Sequence, residues 1–433
     1  MEPEPDIRHA SPRQRLESLK LSRLRELLKA VLPRNRFYAS KYASLSTADG
    51  HLAVDSLSAI HDWPFTHKEE LVEGAHLLGH PANLTFEPSA YVRFHQTSGT
   101  HGRPLPVFDT AEDWQWWLSC WREVLSRGRV GRGDRGLVAA SFGPSVGFWS
   151  AFESILTTGA MAIPSGSMPT IARLELLRSL RATVLVCTPS YGLHLAEVAT
   201  ERKINLPMLD VRLVIVAGEP GGSTPATRDR LADAFGATVL DHAGATEVGP
   251  WGVGDDDGRA LQVIEPWFHP EFLSLETGTP ASEGETSELV LTTLGRSGCP
   301  VVRSRTGDVV RPRWPDPDEP FPWVRLEGGV LGRTDDMVVV RGVNVFPSSI
   351  DGIVRSFPEI VEYRLTIGSR GSLDEMELEV EDHLDMPARV RDELRVRLGL
   401  RVEVRTVPIG ALPRFDGKGR RIVDLRFGRS EEE

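Results

Sequence analysis

The segment Thr97-Ser98-Gly99-Thr100-His101-Gly102-Arg103-Pro104 carries the chemistry most directly readable from residue types. Its glycines free the backbone, its hydroxyls donate hydrogen bonds and Arg103 adds a positive charge. Such a set can wrap a triphosphate through N–H and O–H groups. The G-x-x-x-x-G-K-[ST] spacing is absent, so this is not a Walker loop. A plain Gly/Ser/Thr turn is the competing reading, with His101 packing in the loop or facing solvent rather than serving as a base.

A phosphate-wrapping loop needs strands and helices to hold it. Tyr91–His95 reads as the strand leading into it. Beyond it, short apolar runs alternate with helical patterns and Gly-rich turns. Leu137–Ala140, Thr183–Cys187 and Leu213–Val216 read as strands, and Ile171–Leu180 and Pro225–Phe235 as helices between them. That alternation predicts βα units and largely parallel sheets. Upstream, Leu16–Val31 places leucines and a valine at helical spacing, an amphipathic helix, behind a polar, loose lead-in from Met1 to Gln14. Pro312–Pro322 is Pro-rich and acidic and reads as a surface loop. After Gly332 the texture changes. Met337–Val340 reads as a strand, Ser348–Ser356 as a helix, Tyr363–Ile367 and Glu375–Glu381 as strands and Pro387–Leu398 as a helix, a small α+β unit. The boundary falls near Thr334–Asp335, dividing the chain into 1–334 and 335–433. No internal repeat is visible, and the acidic tail Ser430–Glu433 reads as disordered.

Bulk properties agree. The chain has 433 residues, 40% of them hydrophobic, too long for one core. A net charge of −11 argues against nucleic acid as the primary partner, while a local basic pocket can still bind phosphates. No apolar run reaches the roughly 18–20 residues of a membrane span. Cys120, Cys187 and Cys299 lie far apart, without metal-ligand or disulfide spacing, which fits a reducing cytoplasm.

Further segments join the loop in a recognisable order. They are Ala217-Gly218-Glu219-Pro220, Gly244-Ala245-Thr246-Glu247, Arg303-Ser304-Arg305-Thr306-Gly307-Asp308, the run from Leu331 to Pro347 (LGRTDDMVVVRGVNVFP), and Leu412-Pro413-Arg414-Phe415-Asp416-Gly417-Lys418-Gly419-Arg420. In this order they resemble the acyl-adenylate-forming (AMP-binding) enzymes, and among those the phenylacetate–CoA ligases. The likeness starts with the N-terminal helix and Pro64-Phe65-Thr66-His67-Lys68 and reaches the last strand. It implies an α/β fold in which a large N-terminal domain of mixed and parallel sheets, flanked by helices, is joined by a hinge to a small α+β C-terminal domain. It also implies ATP-dependent conversion of a small, aromatic carboxylic acid to its acyl-adenylate, then transfer to coenzyme A.

Roles follow from the same resemblance. Ser98, Gly99, Thr100, Gly102 and Arg103 match the β,γ-phosphate loop. Thr246 matches the α-phosphate contact and Glu247 the Mg²⁺ ligand, a job suited to one carboxylate plus phosphate oxygens. Gly218, Glu219 and Pro220 match the adenine-side loop, with Gly244 also on the nucleotide. Asp308 matches the ribose-binding acid and Arg333 a ribose or phosphate contact. Lys418 matches the lysine bridging acyl carboxylate and α-phosphate, where a compact point charge serves. Asp335 matches the hinge, and Arg341 and Gly342 the segment that meets the pantetheine arm after domain rotation. Phe142, Pro144, Ser145, Phe148 and Ala243 match the acyl pocket, whose rings can stack on a planar substrate. Bland alternatives stand beside these roles: a turn acid at Asp308, a helix-start acid at Glu247, a salt-bridge partner at Arg333, a solvated tail around Lys418, a cap or turn residue at Asp335, turn glycines at Gly244 and Gly342, and core aromatics at Phe142 and Phe148.

The chain departs from the family pattern at Ala243 (commonly tyrosine), at Arg103 (usually lysine), at His101 (commonly threonine) and in a pocket segment poorer in glycine and tyrosine. His242, beside Ala243, reads equally as a pocket or a core residue. Competing functions are adenylation with a carrier-protein thiol, an amine or another nucleophile as acceptor, a non-catalytic binding protein, and a kinase or ATPase releasing ADP. The expected ligands are ATP, Mg²⁺ and CoA. No nucleic-acid or membrane partner is expected, and homodimerisation accords with the family.

Overall fold

The computed structural model describes residues 10–45, 52, 54–97, 103–340, 343–370, 373–414 and 421–426. At its centre is a nine-stranded sheet. Its parallel half orders Met161–Pro164, Arg135–Val138, Val184–Cys187, Leu213–Ala217 and Thr238–Ala245 side by side. The central pair, Val184–Cys187 and Leu213–Ala217, are near-continuous apolar runs, as expected for parallel strands covered on both faces. Past Thr238–Ala245 the sheet turns antiparallel through Gly249–Gly254, Ala260–Val263, Arg325–Glu327 and Pro312–Arg313. Pro312–Pro322 is therefore not wholly a loop: its first two residues form the sheet's edge strand, the position where a proline without an N–H is tolerated. The helices Thr170–Ser179, Pro189–Glu201 and Pro225–Phe235 connect parallel strands, so the βα reading holds, with ends shifted by one or two residues. The strand expected over Leu137–Ala140 runs instead over Arg135–Val138.

A second, antiparallel sheet of four strands orders Phe268–Ser274, Ser287–Thr293, Ser304–Val310 and Gly332–Arg333. Between the sheets lies Ala111–Arg127, a helix started by a capping box of Thr110 and Asp113. It buries Trp114, Trp116, Trp117 and Trp121 in the main core.

The N-terminal lead-in is more ordered than expected. The first helix spans Pro12–Val31, with Ser11 as N-cap and Gln14 closing a capping box. Arg13 bonds Glu265 at 2.6 Å, and buried Lys20 pairs with the same carboxylate. These contacts pin the helix to the large domain. Residues 1–9 and the tail Ser430–Glu433 lie outside the described residues.

The small unit has its own core of Val340, Val345, Ile350, Leu365, Leu378, Val390 and neighbours, whereas Val330 packs against the main core. Its four-stranded mixed sheet orders Glu403–Thr406, Leu373–Asp382, Ile360–Arg370 and Ile422–Asp424, with helices Pro347–Arg355 and Pro387–Leu398. The first of these begins at Pro347 rather than Ser348, since proline suits the first turn. All three cysteines are buried and free. Among the described residues no helix is long and apolar enough to cross a membrane.

Candidate active site

Of the predicted nucleotide-side residues, Gly218, Glu219, Pro220, Gly244, Thr246 and Glu247 lie at the C-terminal ends of two adjacent parallel strands, where open α/β sheets bind ligands. Strand Leu213–Ala217 ends in Gly218, Glu219 and Pro220. There Glu219 accepts a hydrogen bond from the Ser190 backbone N–H at 2.6 Å, tying this turn to the first turn of helix Pro189–Glu201. Next to it, Thr238–Ala245 runs into a tight turn of Thr246, Glu247 and Val248 and returns as Gly249–Gly254. Glu247 thus sits in a hairpin turn, not at a helix start. Gly244 is the bulge that lets the hairpin close: a Cβ there would lie 3.1 Å from the Gly249 carbonyl oxygen and 3.2 Å from Pro250 Cα.

Glu247 has a partner the sequence did not reveal. Thr66 makes a parallel bridge to Ser304 and exchanges backbone hydrogen bonds with Arg303 and Arg305. That docks the Pro64–Lys68 segment along strand Ser304–Val310 and starts helix Lys68–Leu78 beside the hairpin turn. Lys68 Nζ then reaches Glu247 Oε1 at 2.8 Å. Burial opposes ionisation of Glu247, but the Lys68 ammonium and, farther off, Arg333 overcome it and hold the carboxyl below its ordinary range. The backbone of the turn is fixed from behind. Arg296, fully buried, donates to the Glu247 carbonyl at 2.9 Å while pairing with buried Asp109 at 2.7 Å.

Asp308 and Arg333 face each other across adjacent antiparallel strands. Such cross-strand neighbours meet directly, and here Nη1 of Arg333 lies 3.1 Å from Asp308 Oδ1. The same guanidinium bonds both oxygens of Asp335, at 2.8 and 3.0 Å. One arginine therefore links the predicted ribose acid to the predicted hinge, and the salt-bridge reading of Arg333 describes its contacts here.

On the acyl side, Phe142 is half-buried and packs edge-on against Trp149 at 4.9 Å and Phe152 at 5.4 Å. Pro144 and Ser145 are exposed, Ser145 standing at the N-cap of helix Val146–Thr157. Phe148 lies on that helix's first turn, half-buried against the main core. A cavity of about 270 Å³ shares only Gly143 with the predicted segment and is otherwise lined by Val92, Arg93, Phe94, His95 and Trp149. Trp149 and Phe152 are the aromatic partners the sequence reading missed. Ala243 is half-buried opposite Gly252. His242 resolves to the core alternative: Nδ1 lies 2.7 Å from the Gly252 carbonyl oxygen, the ring packs 4.2 Å from Trp121, and burial lowers its pKa to about 4. Arg103 is exposed ahead of strand Pro106–Thr110. Ser98, Gly99, Thr100, His101, Gly102, Arg341, Gly342 and Lys418 lie outside the described residues.

A large α/β domain with a carboxylate-bearing turn at its strand ends, followed by a small α+β domain, is the architecture of AMP-binding enzymes. The AMP-binding enzyme family matches residues 20–293, and its C-terminal domain matches 342–426. The chain is 29% identical to phenylacetate-coenzyme A ligase of Thermus thermophilus over 96% of this chain and 98% of that one. To the Pseudomonas putida enzyme of the same name it is 30% identical, covering 95% and 94%. The chain belongs to the phenylacetate–coenzyme A ligase family of AMP-binding enzymes, and by that membership it is an AMP-forming ligase. Among solved structures, 2-hydroxyisobutyryl-CoA ligase in the postadenylation state, in complex with R3-HIB-AMP, superposes with a TM-score of 0.88 at 25% identity, covering 99% of this chain and 94% of that one. The same ligase with 2-HIB-AMP and CoA in the thioesterification state gives 0.71 at 26% identity, covering 96% and 91%. Both are one protein, so the gap between the scores is one of conformation.

Proposed function

We propose that this enzyme activates a small aromatic carboxylic acid with ATP and passes the acyl group to coenzyme A. In the first step a carboxylate oxygen of the acid attacks the α-phosphorus, and the bond from that phosphorus to the bridging oxygen of pyrophosphate breaks. In the second, the CoA thiol adds to the acyl carbon and AMP departs. Positioning and charge neutralisation dominate such chemistry. The observation that carries the reading is a carboxylate, Glu247, set in the hairpin turn at the strand ends and paired with Lys68 at 2.8 Å.

Glu247 is the proposed Mg²⁺ ligand. Among the described residues no three His, Cys, Asp or Glu side chains gather as a metal cluster. Glu247 would hold the ion together with nucleotide oxygens, which is how Mg²⁺ is usually held. When bound, the ion neutralises phosphate charge. Asp308 takes the ribose hydroxyls, Glu219 and Pro220 border the adenine, Thr246 bonds the α-phosphate, and the loop of Ser98, Thr100 and Arg103 covers the outer phosphates. Lys418 bridges the acyl and α-phosphate oxyanions. The small domain beginning at Asp335 turns about that residue between half-reactions, bringing Arg341 and Gly342 to the pantetheine arm. The aromatic preference is supported by the Phe142–Trp149–Phe152 cluster and by the phenylacetate named for the relatives.

The test supplies phenylacetate, other aryl acids and 2-hydroxyisobutyrate separately, with ATP and Mg²⁺, and measures pyrophosphate and AMP with and without CoA. AMP release that requires both an aryl acid and CoA is expected. ADP release, or AMP release indifferent to CoA, refutes the reading. Lys418→Ala is expected to abolish acid-dependent ATP–pyrophosphate exchange while sparing thioester formation from supplied acyl-adenylate.

A further inference from the structure

Helix Pro189–Glu201 of the large domain is gripped from the small domain at two points. Arg421 Nη1 donates to Ser190 Oγ at 2.9 Å, while Nε and Nη2 bond the two oxygens of Glu362 at 2.6 and 3.0 Å. Arg414 bonds Glu197 through Nη2 at 3.0 Å and Nε at 3.3 Å, and it bonds buried Glu381 through Nη1 at 3.1 Å and Nη2 at 2.7 Å. Ser190 and Glu197 lie two helical turns apart, roughly 10 Å along the axis. The grips therefore oppose rotation as well as separation.

Each guanidinium is oriented first by a carboxylate of its own domain. Only its remaining N–H groups face the partner domain, so little side-chain entropy is lost on engagement. Release leaves each arginine charge-paired at home, which makes the grip reversible. Glu197 is held ionised, at about 2, by His194 together with Arg414. The gripped helix is not remote from the nucleotide side, because the Ser190 N–H also holds Glu219. In sequence, Arg414 and Arg421 bracket Lys418. The arrangement they hold is nearer the postadenylation state of the solved relative than its thioesterification state.

We propose that Arg414 and Arg421, by gripping Glu197 and Ser190, are positioning residues that hold the small domain in the acyl-adenylate-forming arrangement, and that this grip releases on passage to the thioester-forming one. The inference rests on the reading of Lys418 as the adenylation lysine.

The test needs a readout independent of substrate. Nitroxide labels at Met208→Cys and Val396→Cys, positions 78% and 80% exposed on the two domains, report the interdomain distance by pulsed electron resonance in the full chain. The parent should show one dominant distance. Glu197→Gln, which keeps size and loses charge, should raise a second population about tenfold. Arg414→Gln should do the same, and the double variant should add nothing beyond the larger single effect. Glu197→Gln should also slow phenylacetate-dependent ATP–pyrophosphate exchange about tenfold without a matching loss of thioester formation from phenylacetyl-adenylate and CoA. Unchanged distances in Glu197→Gln, or equal loss in both half-reactions, overturns the proposal. Lys418→Ala separates the two claims: exchange that survives it sinks the reading of that lysine, while the distance distributions still judge the grip.

Discussion

Asp109→Asn tests how the Glu247 turn is held. Asp109 and Arg296 are fully buried. One oxygen of Asp109 takes Arg296 Nε at 2.9 Å and Trp117 Nε1 at 3.2 Å. Asparagine keeps the shape and removes the charge, leaving the buried guanidinium without its hydrogen-bonded counter-ion and with only the more distant Asp113. Breaking one side of a buried pair costs about 3–5 kcal/mol, which for a domain this large lowers the melting temperature by roughly 4–7 °C. Urea unfolding followed by tryptophan fluorescence reads it, since four of the ten tryptophans, Trp114, Trp116, Trp117 and Trp121, lie on the adjoining helix. The double change Asp109→Leu, Arg296→Met removes both charges and should recover most of that stability. It also removes the 2.9 Å bond to the Glu247 carbonyl, so ATP–pyrophosphate exchange should stay depressed, by about tenfold, in a protein that is stable again. A loss under about 1 kcal/mol in Asp109→Asn, or a double variant as unstable as the single one, refutes the reasoning.

Other perturbations probe neighbouring features. Lys68→Ala removes the cation that offsets burial of Glu247, so its carboxyl pKa should rise and the acid limb of the adenylation pH profile should move to higher pH; an unmoved limb counts against the pair. Asp241 is buried, and its pKa rises from 3.8 to about 6 through burial. The fold therefore favours its neutral form, carries no penalty below the unfolded value, and loses about 3 kcal/mol as pH climbs through that interval. Asp241→Asn should gain that much on wild type between pH 4 and 7 in denaturation experiments, and a pH-independent gap excludes it. Gly249 has φ +130, and a Cβ there would lie 2.6 Å from Trp116 Cη2 and 3.0 Å from Phe268 Cζ. Gly249→Ala should cost on the order of 3 kcal/mol, seen as a lower melting temperature; an unchanged melt contradicts the packing described.

What could be read from the sequence was what local pattern controls. Pro225–Phe235 and Pro387–Leu398 have the bounds their periodicity predicts, because proline opens and glycine closes each. The lead-in was misread although Ser11 and Gln14 spell a capping box, a signal outweighed there by polarity. Family order brought out Glu247, Asp308 and Arg333; the structure puts Glu247 in a turn of the large sheet and pairs Asp308 with Arg333 across two strands of the smaller one. The Lys68–Glu247, Arg296–Glu247 and Arg414–Glu197 contacts escaped notice, although Lys68 and Arg414 stand in the family segments, because each depends on strands pairing or domains docking across long stretches of chain. Nothing in their local spacing announces them. The helix that starts at Val146 points Trp149 and Phe152, one turn apart, at Phe142, while Phe148 packs against the main core, a phase the segment's composition does not show.

The three thiols carry a practical consequence. Cys120, Cys187 and Cys299 are sealed in the core, and burial pushes their ionisation upward, Cys299 to about 12. Only a thiolate reacts readily with maleimides, methanethiosulfonates or peroxide. The folded enzyme should therefore resist alkylation and oxidation at its own sulfurs, and any reporter group attached through sulfur will sit where an investigator installs a new cysteine.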